Sequence, residues 1–197
     1  MSGHKNWSSG VKKLLNNYGF SEIFDTFNVY LCEYSTKSFP AIFKKRIIDC
    51  YKQIWFAMVC NNNVLEEYSQ FKNQFLYESY LDLVPYDLRF FITKLRISAH
   101  TLRIHTGRFG ENRLPRSERT CVYCTLNDVE DIYHFVCICP NYKKLRIKFI
   151  DRYFHVRPSV FKFNELLMCQ DRKKLCNLAL FIREAFKARN NSNMIVR

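Results

Sequence analysis

Apolar residues recur at helical spacing over most of the chain. Between residues 8 and 18, Val11, Leu14, Leu15 and Tyr18 share one face of a helix. Ser8 or Ser9 stands at its start and Gly19 just past its end. Ser38 opens a longer helix that tolerates Pro40 in its first turn. Phe43, Ile47, Cys50, Tyr51, Ile54 and Met58 give that helix a continuous apolar stripe, and Asn61 to Asn63 break it. Val64, Leu65, Tyr68, Phe71 and Phe75 continue the pattern in a third helix, Pro85 marks the next boundary, and residues 86–104 again read as mostly helical. Strand alternation is almost absent, as are internal repeats, low-complexity tracts and long heptad runs. The first hundred residues therefore predict a helical bundle whose aromatic stripes form core rather than a base-stacking platform.

The pattern changes at residue 105. His105 to Gly110 reads as a turn, and Asn112 to Thr120 is polar with Pro115 inside. This loop carries Arg108, Arg113, Arg116 and Arg119 against Glu111 and Glu118. After a cysteine-rich segment, Lys143, Lys144, Arg146, Lys148 and Arg152 fall on a helix with Leu145, Ile147, Phe149, Ile150 and Phe154. A last helix is expected over about 171–188, with Leu175, Leu178, Ala179, Ile182 and Phe186 on its buried side, followed by a frayed tail over 190–197. The predicted fold class is mostly α: a helical bundle with a small metal-stapled loop inserted before the C-terminal helices. Three regions follow: a helical support over 1–104, a basic loop plus metal segment over 105–157, and C-terminal helices with their tail over 158–197.

Composition changes this picture in two ways. Of 197 residues, 48% are hydrophobic and 16% aromatic, with only five Gly and five Pro, which is enough apolar material for a packed core. Lys and Arg total 31 against 18 acids, a net charge of +13. That excess does not specify a fold, but it creates a positive field that attracts polyanions. Residues 1–20 are polar and charged, without the apolar run of a secretory signal. No apolar run approaches the roughly 18–20 residues that span a bilayer. The expected location is therefore inside the cell, in nucleus or cytoplasm, with no membrane partner. Nine cysteines in a reducing compartment favour metal binding or burial over disulfides, and an odd count fits a disulfide framework poorly.

The chemistry concentrates in Cys121-Val-Tyr-Cys124 followed by His134, Cys137 and Cys139-Pro140, a Cys-x2-Cys-x9-His-x4-Cys pattern. A Cys-x2-Cys turn holds two thiolates about one tetrahedral edge apart, and a structural Zn²⁺ site closes with four N or S ligands. Cys137 competes for the fourth place, because it lies three residues after His134 on the same helical face. Pro140 disfavours helix at Cys139 and pushes it extended, which lets its thiol swing back toward the metal. The preferred set is Cys121, Cys124, His134 and Cys139 around one structural Zn²⁺, with no ligand position left open for catalysis.

Other chemistry is weak. A thioredoxin-like pair would need a parallel sheet beside its Cys-x2-Cys. There is no phosphate-binding glycine loop, nucleophile elbow or His-Glu-x2-His. Asp128, Glu130 and Asp131 are expected to be solvated or to favour a helix N-terminus. His100 and His105 read as structural or phosphate-facing. Cys32, Cys50, Cys60, Cys169 and Cys176 read mostly as core.

From Lys94 onward the chain resembles the C-terminal region of non-LTR (LINE-like) retrotransposon reverse transcriptase polyproteins. The matching residues are Lys94-Leu95-Arg96-Ile97-Ser98, His100, Leu102, Gly107-Arg108, Arg119, Cys121, Cys124, Glu130-Asp131, His134-Phe135, Cys139-Pro140, Tyr142 and Arg146. Upstream, Trp7, the Leu14-Leu15 helix, Gly19-Phe20 and the Tyr51–Trp55 helix look like the stretch that links polymerase to zinc segment in those elements. The resemblance implies a zinc-binding tail that helps a polymerase hold template RNA or target DNA. The family's Asp-Asp polymerase centre and its endonuclease have no counterpart here, so the expectation is a non-enzymatic fragment, truncated copy or reused tail. Backbone contacts to RNA or DNA would come from Arg108, Arg113, Arg116 and Arg119, backed by Lys143, Lys144 and Lys148. Val122 and Tyr123 at the knuckle tip either meet an unpaired base or, for Tyr123, pack. Two other readings remain open: a zinc-stapled surface that docks on another polypeptide, such as a polymerase, and an inert remnant of a decayed element.

Overall fold

A computed structural model describes residues 7–25, 37–72, 74–110 and 113–195, with Asp25 and residues 192–195 described by backbone alone. The chain is all-α, and among the described residues the one trace of strand pairing is an isolated antiparallel bridge between Thr120 and Val129. Among the same residues no helix is long and apolar enough to cross a membrane. Two compact units divide between Met58 and Val59.

The first unit holds α1 (Trp7–Asn17), α2 (Ser21–Asp25) and nearly all of α3 (Phe39–Cys60). Gly19, at φ 79°, ends α1: its N–H bonds Asn16 O (3.3 Å) and the Phe20 N–H bonds Leu15 O (2.9 Å). This is the left-handed stop that glycine makes cheaply. It turns Phe20 into edge contact with Phe39 and Phe43, at 5.6 and 5.5 Å between ring centroids. The expected stripe of α3 is only partly used. Phe43, Ile47 and Cys50 are half-buried, whereas Tyr51, Ile54 and Met58 are exposed. Helical spacing aligns side chains but does not supply a neighbour to cover them.

The second unit is built from many short pieces. Asn62 caps a 3₁₀ turn (Asn63–Leu65), its side chain accepting from the Val64 N–H at 2.9 Å. There follow α4 (Glu66–Phe71), α5 (Tyr80–Leu83), α6 (Tyr86–Arg96) and α7 (Arg103–Thr106). A π-turn (His134–Ile138), α8 (Lys143–Phe149), α9 (Arg152–His155), α10 (Val160–Met168) and the long α11 (Arg172–Ile195) complete it. Helices of four to eleven residues are not stable alone, so tertiary burial holds them. α11 supplies it, packing chiefly on α6 and α8. Leu175, Leu178, Ala179, Phe181, Ile182 and Ala185 are buried there, in one core with Ile92, Leu95, Leu102, Ile104, Phe135 and Tyr142. Phe186, expected on the buried side, is half-buried.

Three sequence expectations change. α11 continues to Ile195, so residues 190–195 are helix and not a frayed tail. The helix expected over 86–104 breaks after Arg96, because Ser98 takes a left-handed conformation at φ 58°. The Ser98 N–H bonds Leu95 O and the Ala99 N–H bonds Lys94 O, the same stop that Gly19 makes. Finally, Cys60 is exposed and Cys50, Cys169 and Cys176 are only half-buried, so none of these is full core. Cys32 lies outside the described residues.

Candidate metal centre

The metal segment begins as a narrow hairpin. The Cys121 N–H bonds Asp128 O (2.9 Å) and the Glu130 N–H bonds Arg119 O (2.8 Å), with the Cys121-Val122-Tyr123-Cys124 turn beyond them. Asp131 then starts the next turn, its carboxylate accepting from the His134 N–H at 2.7 Å. From His134 the backbone winds with i→i+5 bonds: the Cys139 N–H reaches His134 O at 2.7 Å. This π-turn is what brings an His-x4-Cys pair onto one side, since an α-helix would turn residue i+5 away. Cys139 then leaves the helical region (φ −51°, ψ 120°), as the following Pro140 demands.

The ligand atoms of Cys121, Cys124, His134 and Cys139 all lie within 4.8 Å of one another. The Cys121 and Cys139 sulfurs are 4.0 Å apart, and Cys124 Sγ is 3.5 Å from His134 Nε2. A tetrahedral Zn²⁺ with its usual bond lengths has S···S edges of roughly 3.8 Å and S···N edges of roughly 3.5 Å. Those two edges match the tetrahedral values closely, and the four-residue cluster could hold one metal ion. Cys137 is not in it: its thiol belongs to the apolar core, and burial pushes it up to about 12. The Cys139 sulfur, together with burial, pushes the Cys121 thiol up to about 12 while the same contact pulls Cys139 down.

No family model, curated protein or solved structure matches this chain.

The surroundings of the cluster are unusually well tied down. His134 is buried, with Nε2 3.5 Å from Cys124 Sγ and Nδ1 3.7 Å from Asp128 Oδ2, too far for a hydrogen bond. Glu130, expected at the surface, is 1% exposed. It forms a buried ion pair with Arg189 on α11, accepts the Arg103 N–H at 2.8 Å, and lies 3.6 Å from Cys121 Sγ. Arg189 also donates to Thr101 O and lies over the Tyr123 ring, 4.3 Å from its centroid. That contact gives Tyr123 a packing role and leaves Val122 as the exposed knuckle residue. Arg146 is buried too, donating to Val136 O in the π-turn and to Cys139 O just after it, at 2.7 Å each. Glu67 on α4 accepts the Ile132 N–H at 3.2 Å.

The predicted phosphate contacts divide into two groups. Arg108 donates to Ile104 O and Asn63 O and pairs with Glu66, and Arg119 donates to Leu114 O and Ile104 O. Both hold the loop together. The Arg119 stem crosses Gly107 so closely that a Cβ there would meet it at 2.9 Å. Arg116 pairs with Glu66 at 3.1 Å; Glu111 lies outside the described residues. Arg113, Lys143, Lys144 and Lys148 are exposed. His100 is buried and pushed down to about 3 by burial and by His105, so it is a neutral structural ring and not a phosphate-facing cation. Sequence reading missed Arg189, Glu67 and Arg103. For Arg189 the signal existed: residues 175, 178, 182, 185 and 189 share one helical face.

Proposed function

We propose that this chain is a non-catalytic nucleic-acid-binding module, stapled by one structural Zn²⁺ and related in role to the zinc-binding tail of non-LTR retrotransposon reverse transcriptases. The observation that carries the reading is a closed four-ligand Cys/His cluster followed within a few residues by an exposed lysine run on α8. A closed set of three thiolates and one imidazole suits Zn²⁺ and has no open position for substrate. The first turn of α8 carries Lys143 and Lys144 and no acid. Positive charge there opposes the helix dipole, so these lysines do not serve helix stability. With Lys148 and Arg113 they offer exposed cations to a phosphate backbone, within a net charge of +13. Such contacts give affinity with little base reading, for RNA or DNA alike.

The test is salt titration of binding to single- and double-stranded oligonucleotides. Replacing Lys143, Lys144 and Lys148 by Ala should flatten the slope of log affinity against log salt by roughly two to three, at about 0.7–0.9 per lost phosphate contact. An unchanged slope, with metal content intact, removes α8 from the interface. A second reading, docking on another polypeptide such as a polymerase, is favoured by exposed Ile147, Tyr153, Val160 and Phe161 nearby. Binding to such a partner would be nearly insensitive to salt.

A further inference from the structure

Arg108, Arg116 and Arg119, carried by the loop that leads into Cys121, converge beside the start of α4. Arg108 Nε and Arg119 Nη1 both donate to Ile104 O, at 3.1 and 3.2 Å, so two like charges meet at one carbonyl. Arg116 Nη1 stands 3.1 Å from Glu66 Oε2, and Arg108 Nη2 stands 3.6 Å from the same oxygen, beyond hydrogen-bond length. Among the described residues, Glu66 is the one acid paired with any of the three. Glu67, next on α4, is buried and its carboxyl is pushed up to about 7, so it offsets the cluster only in part at neutral pH. Burial and the charges of Arg108 and Arg116 pull the Arg119 guanidinium below its ordinary value, and Glu66 counters them. Three cations thus share one fully ionised partner.

This excess charge is both accessible and fixed. The side chains of Arg116 and Glu66 are 42% and 51% exposed. Backbone carbonyls hold the other two guanidiniums in place: Ile104 O and Asn63 O for Arg108, Leu114 O and Ile104 O for Arg119. Cations fixed in advance lose little freedom on meeting an anion. Glu66 serves them poorly, because one carboxylate oxygen faces two guanidiniums and only Arg116 is close. A phosphate group presents several oxygens and can give Arg108 and Arg116 one each.

We propose that Arg108, Arg116 and Arg119 form a binding site for one phosphate group of a nucleic-acid strand, and that the Glu66 carboxylate occupies this site in the free protein as a displaceable internal competitor. The inference rests on the nucleic-acid reading above. It adds a contact point to the lysines of α8 and a built-in restraint on affinity, since a strand must break the Glu66 pairs to enter. The carbonyl bonds of Arg108 and Arg119 stay in place throughout.

The experiment uses the full metal-loaded chain and a short single-stranded oligothymidine. Glu66→Gln removes the competing charge at a half-exposed position and keeps an acceptor for Arg116, so the fold is retained. Glu66→Asp keeps the charge but shortens its reach. Glu118→Gln is the control: it removes the same charge from the same loop, at an exposed residue that makes no ion pair among the described residues. Glu66→Gln should bind roughly two- to tenfold more tightly than wild type, the scale of two exposed ion pairs. It should also steepen the slope of log affinity against log salt by about 0.7, one added phosphate contact. Glu66→Asp should show part of that gain, and Glu118→Gln should change affinity by less than about twofold, because salt screens an unpaired surface charge. Arg116→Gln, added to Glu66→Gln, should abolish the gain. No gain in either Glu66 variant, an equal gain in Glu118→Gln, or a gain that survives Arg116→Gln overturns the site and leaves the lysine contacts of α8 in force. An equal gain for a polyglutamate peptide would make this a carboxylate site and overturn its assignment to phosphate. Absence of oligonucleotide binding in every variant overturns both readings.

Discussion

Glu67 shows how much one side chain can carry unseen. It lies on the apolar face of α4, three residues after Val64 and four before Phe71, and it is 5% exposed. Burial pushes its carboxyl up to about 7, opposed by the Ile132 N–H, with Asp131 adding to the rise and Arg116 and Arg108 countering it. A carboxyl raised in the folded state contributes stability that is complete below about pH 4.5 and is lost as pH rises through about 7. His100 acts oppositely: its lowered value makes folding less favourable as pH falls below about 6.5 toward 3. Comparing wild type with Glu67→Gln by urea denaturation cancels every other group. The wild type should lose stability relative to the variant between pH 5 and 8, by up to about 3 kcal/mol at 1.36 kcal/mol per unit. A constant difference across that range would show that Glu67 ionises normally. The sequence did contain the clue, an acid inside an apolar stripe, but a stripe with one acid also describes an ordinary surface helix. Ser98 offered no clue at all, because serine carries no mark of a left-handed backbone.

At the scale of elements, the metal centre is joined to α11 by charge. The Glu130–Arg189 pair closes between the hairpin and the helix, and Arg146 on α8 donates to carbonyls in and just after the π-turn. Breaking one member of a buried pair leaves the other charge uncompensated and typically costs about 3–5 kcal/mol, whereas replacing both costs much less. Arg189→Met should therefore destabilise the second unit by that order and weaken metal retention. Adding Glu130→Gln should recover part of the loss. A double-mutant cycle by chemical denaturation measures the coupling, and additive effects would show that the pair is not an energetic link. The ligand spacing was legible element by element: Pro140 after Cys139 explains both the choice of Cys139 over Cys137 and the end of the π-turn. The engagement of α11 was legible only in part: Arg189 continues the face of residues 175, 178, 182 and 185, but its partner Glu130 comes from a distant segment.

For the molecule as a whole, the metal segment is part of the core and not an appendage. Cys121, Ile132, Phe135, Val136, Cys137 and Cys139 share one apolar cluster with α6, α10 and α11. Structural zinc binds with about 10–16 kcal/mol in small peptides, comparable to the about 5–15 kcal/mol that holds a whole domain. Chelation should therefore abolish the cooperative thermal transition of residues 59–197 rather than loosen residues 119–140 alone. Calorimetry before and after a strong chelator checks this, and an unaltered transition would make the metal a local staple. The sequence by itself determined the helical class, the four Cys and His residues that cluster, and the positive charge, because each depends on local spacing or on composition. Only the tertiary structure decided which cations are free and which are used within the fold. Arg108, Arg119, Arg146 and Arg189 look like Lys143 and Lys144 on paper, yet they hold carbonyls and Glu130. A guanidinium's role is set by the acceptors that distant segments bring to it, and no local pattern encodes where those segments meet.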